Sequence, residues 1–290
     1  MGIATAVCGR RGRMARLLAA AVAGSEDLAL AARLSLRDGW ERPDGVDASA
    51  DSERSATGAR GAGDAPGSAG NGGHDPGRSA VEARGAGDEP GPPGAAGAQA
   101  GVVGALRDVP GVAPVVIDFT TPEGTRRLLR EAGGTRCSLV IGTSGLTAAD
   151  LDLLCEVARE RAVLRAANFS TALVAVRAFV AALAERVGSD WGAGVVDVHF
   201  AGKRDRPSAT ALDLADVWRG RHGELPEIAS FRMGGGVSEH RLLAAGAGEL
   251  VELRHRVDDR AAFVPGVLAA ARFVAEAAPG LYTLEDALCR

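Results

Sequence analysis

The sequence predicts an α/β fold: a doubly wound parallel sheet, then a second α+β domain with a mixed sheet, and a long disordered insertion in the first domain. Three observations predict it. Short β-branched or apolar runs alternate with helical segments between Ile3 and Arg165, and neighbouring strand-like runs dominate after Asn168. From Glu41 to Ala100 there is no Ile, Leu, Phe, Trp or Tyr. Alternation of strand and helix implies parallel strands joined by right-handed crossovers. Consecutive strands imply a mixed or antiparallel sheet with helices on one face. A stretch without large apolar side chains cannot offset the entropy of ordering it.

Each element follows from its local pattern. Ile3 to Cys8 is an apolar strand, and Arg13 to Ala23 a helix with Met14, Leu17, Leu18 and Val22 at helical spacing. Leu28 to Leu34 reads as the second strand. Residues 41–101 form the low-complexity insertion, in which Ser55 to Gly67 returns as Ser79 to Gly91, the mark of a loop enlarged by duplication. The repeat has no apolar face to stack, which excludes a solenoid, and His74 within it receives no role. Val115 to Phe119 is a strand, Pro122 opens a helix, and Cys137 to Ile141 is another buried strand. Thr147 starts a helix, and Ala162 to Arg165 is a short strand. Then come a helix from Thr171 to Val187, a strand from Val195 to Ala201 and a helix after Pro207. Strands near Ile228 to Arg232, Val237 to Ala244 and Glu249 to Val257 precede a terminal helix, Ala261 to Ala277. The expected division is 1–167 for a dinucleotide-binding domain, 168–259 for a substrate-binding domain, and 260–290 for a helix returning to the first.

Composition excludes several classes. A net charge of -4 with pI near 5.8 gives no polyanion-binding character, so no nucleic-acid partner is expected. Cys8, Cys137, Cys155 and Cys289 are scattered without a CxxC pair, which argues against structural zinc or a disulfide framework, and no metal is expected. No apolar run approaches the roughly 20 residues that span a bilayer. With no secretory pattern at the start either, the chain reads as cytoplasmic with no membrane partner.

Four motifs carry chemistry. Gly9-Arg10-Arg11-Gly12-Arg13-Met14 lies between a strand and a helix, where glycine permits a tight turn and the helix start offers free N–H groups to a pyrophosphate. The second glycine of the dinucleotide fingerprint is replaced by Arg11, so the residues alone can also be a Gly turn with solvated arginines. At the end of the second strand Ser35 stands between Arg33 and Arg37 with no acid for the ribose hydroxyls, which favours NADPH over NADH. Asp118 to Gly124 and Gly142-Thr143-Ser144-Gly145 each follow a parallel strand, the place where ligands bind in such sheets, or else are plain turns. The fourth motif runs from Asp197 to Leu212. Ser208 and Thr210 open a helix able to hold a carboxylate, Lys203 offers charge or a proton, and His199 a general acid. The bland alternative is an N-cap, a solvated cation and a strand residue.

Taken in order, CGRRGRM, VVIDFTTPEGT, VIGTSGL, AANFS and H-x3-K-x-D-x-PS-x-TAL resemble the successive signatures of the 4-hydroxy-tetrahydrodipicolinate (dihydrodipicolinate) reductases. Arg232 to His240 and the closing GLYTLEDAL are also similar, so the resemblance covers nearly the whole chain outside the insertion. It implies a Rossmann-like nucleotide domain, reduction of a cyclic imine carboxylate in lysine and diaminopimelate biosynthesis, and a homotetramer. It also implies that Gly9 to Met14, Gly142 to Ser144 and Ala167-Asn168-Phe169-Ser170 bind the dinucleotide. His199 would correspond to the catalytic histidine and Lys203 to the proton donor, with Ser208, Ala209 and Thr210 at the substrate carboxylate. The chain departs from the family at Phe200, where a second histidine contacts substrate, at Ala209, where the family has glycine, and at Ala201 and Gly202, where it has a basic residue and a histidine. These departures make the pocket less positive. They raise two further readings: a reductase of another cyclic imine or unsaturated amino acid, and a non-catalytic nucleotide-binding protein.

Overall fold

The computed structural model describes residues 2–9, 12–35, 102–103, 106–109, 114–235 and 238–289. The insertion, its internal repeat, Arg10 and Arg11 lie outside the described residues.

Seven parallel strands form the first sheet, in the spatial order β11-β6-β5-β4-β1-β2-β3. In chain order they are β1 (Ile3–Cys8), β2 (Leu28–Leu34), β3 (Val102–Val103), β4 (Val115–Asp118), β5 (Ser138–Ile141), β6 (Ala162–Arg165) and, near the end of the chain, β11 (Gly280–Tyr282). Helices cover both faces, as expected of a doubly wound sheet. On one face α1 (Arg13–Ala23) and α6 (Val264–Glu276) bury Leu18, Val22, Val267 and Val274 against Val7, Val115 and Ile117. On the other, α2 (Pro122–Ala132) and α3 (Ala148–Ala158) bury Leu128, Leu129 and Leu154 against Val116, Leu139 and Ile141. Strands buried on both faces read as unbroken apolar runs rather than alternating ones. Helix α6 packs on this sheet.

The second sheet is mixed, in the order β10-β9-β7-β8. Strand β7 (Gly192–His199) pairs parallel with β8 (Glu227–Arg232) and antiparallel with β9 (Ser238–Gly246), which forms a hairpin with β10 (Glu249–Val257). Helices α4 (Thr171–Arg186) and α5 (Ala209–His222) enclose a core around the fully buried Trp218, with Leu214, Val195 and Leu242.

The structure moves several boundaries. Strand β7 begins three residues before the expected Val195 and stops at His199, so Phe200 and Ala201 stand in the turn. The Gly192-Ala193-Gly194 start lacks β-branched residues, yet its pairing with Leu243 to Ala245 makes it a strand. The terminal helix starts at Val264, after a 3-10 turn over Arg260–Phe263. Strands β3 and β11 and helix α7 (Leu284–Leu288) have no counterpart in the sequence reading, being too short to show a period.

Two glycines set the approach of segments to the site. A Cβ on Gly142, just after β5, would overlap the ring of Phe119, which in turn lies 5.1 Å from the ring of Phe169. A Cβ on Gly266, in α6, would overlap the carbonyl oxygen of Phe169. Helix α6 thus presses directly on the segment that leads into α4. Gly266→Ala is expected to lower stability by about 2 kcal/mol through overpacking. Gly220→Ala in α5, where a Cβ meets nothing within 4 Å, should raise it by about 0.5 to 1 kcal/mol. Urea unfolding of both variants checks the contrast.

Candidate active site

Among the described residues, α1 follows directly on a parallel strand and starts without a side-chain cap. Thr121, Thr147, Ser170 and Ser208 cap α2, α3, α4 and α5 with their side chains, whereas Gly12 caps α1 with none. The first amides of α1 therefore remain available to an anion. Gly9 has φ +101°, a conformation side chains rarely adopt, and its carbonyl accepts a hydrogen bond from Arg33 Nη2 at 3.1 Å. These residues fit a nicotinamide dinucleotide. The side chain of Met14 packs into the core, Arg13 is exposed, and Ser35 follows β2 half-buried.

At the next strand ends a buried carboxylate joins two loops. Asp118 closes β4 and accepts hydrogen bonds from Thr120 N at 3.0 Å, Thr120 Oγ1 at 2.6 Å, Thr125 Oγ1 at 2.6 Å and Thr143 Oγ1 at 3.4 Å. Burial pushes its carboxyl above the ordinary range, against the pull of these hydroxyl donors. Thr143 is thereby fixed and buried, while Ser144 beside it is exposed. Gly142, Thr143 and Ser144 sit at the end of β5 as the sequence predicts.

The second sheet has its own buried carboxylate, and more depends on it. Asp197, wholly buried on β7, places Oδ1 2.5 Å from His199 Nδ1. Its Oδ2 accepts from Ser208 N at 2.8 Å, Ser230 Oγ at 3.0 Å and Arg232 Nη2 at 3.1 Å. Burial alone would raise this carboxyl, but His199, the Ser208 amide and Arg232 together hold it well below the usual carboxylate range. Ser208 Oγ accepts from Ala211 N at 3.2 Å, as an N-cap does, and lies 3.2 Å from His240 Nε2. Burial first, then the neighbouring His199, pushes His240 down to about 3.

A second capped helix repeats the motif. Ser170 Oγ, capping α4, lies 3.0 Å from His255 Nε2, and burial lowers His255 as well. The rings of His240 and His255 stack with centroids 6.2 Å apart. Asn168 Nδ2 reaches Thr210 Oγ1 at 3.4 Å, so the segment after β6 meets the first turn of α5. Phe169 is buried among apolar side chains.

These contacts border a cavity of about 360 Å³, within the range that holds small ligands. Ala167, Asn168 and Ser170 line one side, and Ala209 and Thr210 the other, joining residues that the sequence reading assigned separately to cofactor and substrate. His199, Phe200 and Lys203 stand outside that lining. Lys203 Nζ pairs with Asp205 Oδ1 at 2.8 Å, and Phe200 is 38% exposed in the turn after β7. Asp197, Arg232, His240 and His255 were missed by sequence reasoning as site residues. Asp197 and Arg232 lay inside quoted motifs, but their pairing spans 35 residues.

Asp197, His199 and His240 also bring three possible metal ligands within 4.8 Å of one another. Ligands at about 2 Å from a tetrahedral ion stand about 3.3 Å apart. Asp197 Oδ1 and His199 Nδ1, 2.5 Å apart, stand closer than two ligands of one ion, and Arg232 already balances the charge.

Comparison with known proteins gives concordant results. The family model described as dihydrodipicolinate reductase, N-terminus, matches residues 80–169, and that described as dihydrodipicolinate reductase, C-terminus, matches residues 172–288. A 4-hydroxy-tetrahydrodipicolinate reductase of Zymomonas mobilis is 33% identical over 212 residues, 66% of this chain and 84% of that protein. One from Rubrobacter xylanophilus is 36% identical over 211 residues, 66% of this chain and 80% of that protein. Among solved structures, a dipicolinate-bound dihydrodipicolinate reductase from Paenisporosarcina sp. TG-14 aligns over 99% of both chains with TM-score 0.64 at 22% identity, which speaks to the fold. Among the described residues no helix is long and apolar enough to cross a membrane.

The buried histidines make stability depend on pH. Between about 3 and the ordinary 6.5 the unfolded chain carries a proton on His240 that the folded one does not, so acid favours unfolding. Asp197 acts in the same direction below about 4. Unfolding free energy should fall by about 1.4 kcal/mol per pH unit for His240 across roughly pH 6 to 4, and His240→Gln should remove that share of the slope. Denaturant titrations at a series of pH values measure it.

Proposed function

Since the chain belongs to the dihydrodipicolinate reductase family and is thus an NAD(P)H-dependent oxidoreductase, we propose that it converts 4-hydroxy-tetrahydrodipicolinate to tetrahydrodipicolinate in lysine and diaminopimelate biosynthesis. The observation that carries this reading is the Asp197 network, which ties His199 on β7 to the start of α5. The enzyme works in the cytoplasm, prefers NADPH, and assembles as a homotetramer. Support for NADPH is Arg33 at the end of β2 with no acid at Ser35. Support for assembly is the exposure of Phe231 and Leu250 on the second sheet.

The bound dinucleotide supplies the hydride. The Gly9 and Gly12 backbone, Arg13, and the backbone of Met14, Gly142, Thr143, Ser144 and the Ala167 to Ser170 segment would hold it, and the sequence motif adds Arg10 and Arg11 to that set. The substrate carboxylate takes the start of α5. There the Ser208 amide is spent on Asp197 and the Ala211 amide on Ser208 Oγ, which leaves the amides of Ala209 and Thr210 for an anion. With Nδ1 held by Asp197, His199 exchanges a proton through Nε2, and it or Lys203 delivers the proton that accompanies hydride transfer. Closure of the cleft expels water and strengthens these charge interactions.

A second reading, reduction of a different cyclic imine, draws on Phe200 and Ala209. An exposed phenyl ring cannot donate a hydrogen bond to substrate, and the methyl group of Ala209 narrows the space above the helix start.

In an assay with NADPH and enzymatically generated 4-hydroxy-tetrahydrodipicolinate, Lys203→Ala should lower kcat by about 10²- to 10⁴-fold while leaving NADPH binding intact. Unchanged turnover would remove Lys203 from the mechanism. The two readings part at Phe200→His: a gain of about tenfold or more in kcat/KM, the worth of one good hydrogen bond, marks a pocket that has turned away from this substrate. Equal or lower activity marks Phe200 as fitted to it.

A further inference from the structure

Two buried histidines of the β9-β10 hairpin have no part in the proton and hydride transfers. His240 and His255 are register partners across the two strands, and their rings lie within 14° of parallel. Each reaches the serine that caps a helix. His240 Nε2 lies 3.2 Å from Ser208 Oγ at the start of α5, and His255 Nε2 lies 3.0 Å from Ser170 Oγ at the start of α4. His240 also stands 4.0 Å from Asp197 and so belongs to the network already described. His255 instead serves the other helix.

The contact at Ser170 falls where the chain passes from one sheet to the other. Phe169 packs in the core of the first sheet, and its carbonyl oxygen leaves no room for a Cβ at Gly266 of α6. Ser170, the next residue, is buried and caps α4, whose Leu173 and Val180 pack in the core of the second sheet. Helix α6 thus constrains the Ala167 to Ser170 segment through Phe169, and His255 constrains it through Ser170. Ser170 N donates to Asn168 Oδ1 at 2.9 Å, which fixes the orientation of that amide and turns Asn168 Nδ2 to Thr210 Oγ1 at 3.4 Å. The contacts close into a ring: His255, Ser170, Asn168, Thr210, then through the first turn of α5 to Ser208, His240 and back to His255. Three of its members, Asn168, Ser170 and Thr210, line the cavity.

We propose that His255 is a positioning residue for hydride transfer, acting through Ser170 to hold the Ala167 to Ser170 segment at a fixed distance from the start of α5. This rests on the roles of those two segments given under the proposed function, one toward the dinucleotide and the other toward the substrate. Transfer needs donor and acceptor atoms about 3 to 3.5 Å apart, and a displacement of about 1 Å can cost about 10²-fold in rate.

Steady-state kinetics and NADPH calorimetry on the full chain test it. His255→Gln carries an amide near the place of Nε2, whereas the shorter side chain of His255→Asn stops near that of Nδ1 and falls short of Ser170. His255→Asn should lower kcat by about 10- to 100-fold, with the KM for substrate and the Kd for NADPH changed by less than about threefold. His255→Gln should recover most of that loss. Adding Ser170→Ala to His255→Asn should cost little more than the worse single change, because both break one contact. Equal kcat in His255→Gln and His255→Asn overturns the proposal, a Tm lowered in both then marking a role in stability alone. Losses confined to KM, or losses that multiply in the double variant, overturn it as well. A wild-type chain that binds NADPH but does not reduce 4-hydroxy-tetrahydrodipicolinate overturns the reading of the site and the proposal together.

Discussion

A carboxylate with no exposure to water must have its charge answered inside the protein, and the way Asp197 is answered organises the second half of this molecule. Its partners come from β7 itself, from the amide that opens α5, and from two positions on β8. Those segments cannot move apart without stranding a buried ion, which costs several kcal/mol. The same contacts decide which amides at the helix start are spent and which are left for a ligand. Structure and chemistry are here one set of hydrogen bonds.

Asp118 does the corresponding work in the first sheet, with hydroxyls in place of cations. The different donors give opposite electrostatic outcomes. Hydroxyl and amide donors leave burial dominant and the carboxyl raised, whereas His199 and Arg232 overcome burial and lower it. Each carboxylate stands at the carboxyl end of a strand. Each draws donors from the chain that follows it, Thr120 and Thr125 at Asp118 and Ser208 at Asp197.

The alternation of strand and helix was legible in the sequence because strands buried on both faces must be apolar throughout, as Val115-Val116-Ile117 and Leu139-Val140-Ile141 are. Cap residues were legible for the same kind of reason: Thr147 and Ser208 precede helices at the spacing an N-cap requires. What escaped was long-range. His240 and His255 look like strand residues on a hairpin, and only folding sets them beside Ser208 and Ser170. Phe200 was legible as a departure, but its position in a turn rather than in the strand depended on where the ladder to β8 stops.

The buried charge of Asp197 is the point on which the account turns, and it can be read directly. The side-chain carboxyl ¹³C shift of Asp197, followed by NMR as pH falls, should show no titration step near 4 or above while the chain remains folded. A step at or above the ordinary carboxylate value would mean that His199, Ser208 and Arg232 do not hold the ion as described, and would contradict the account of the site.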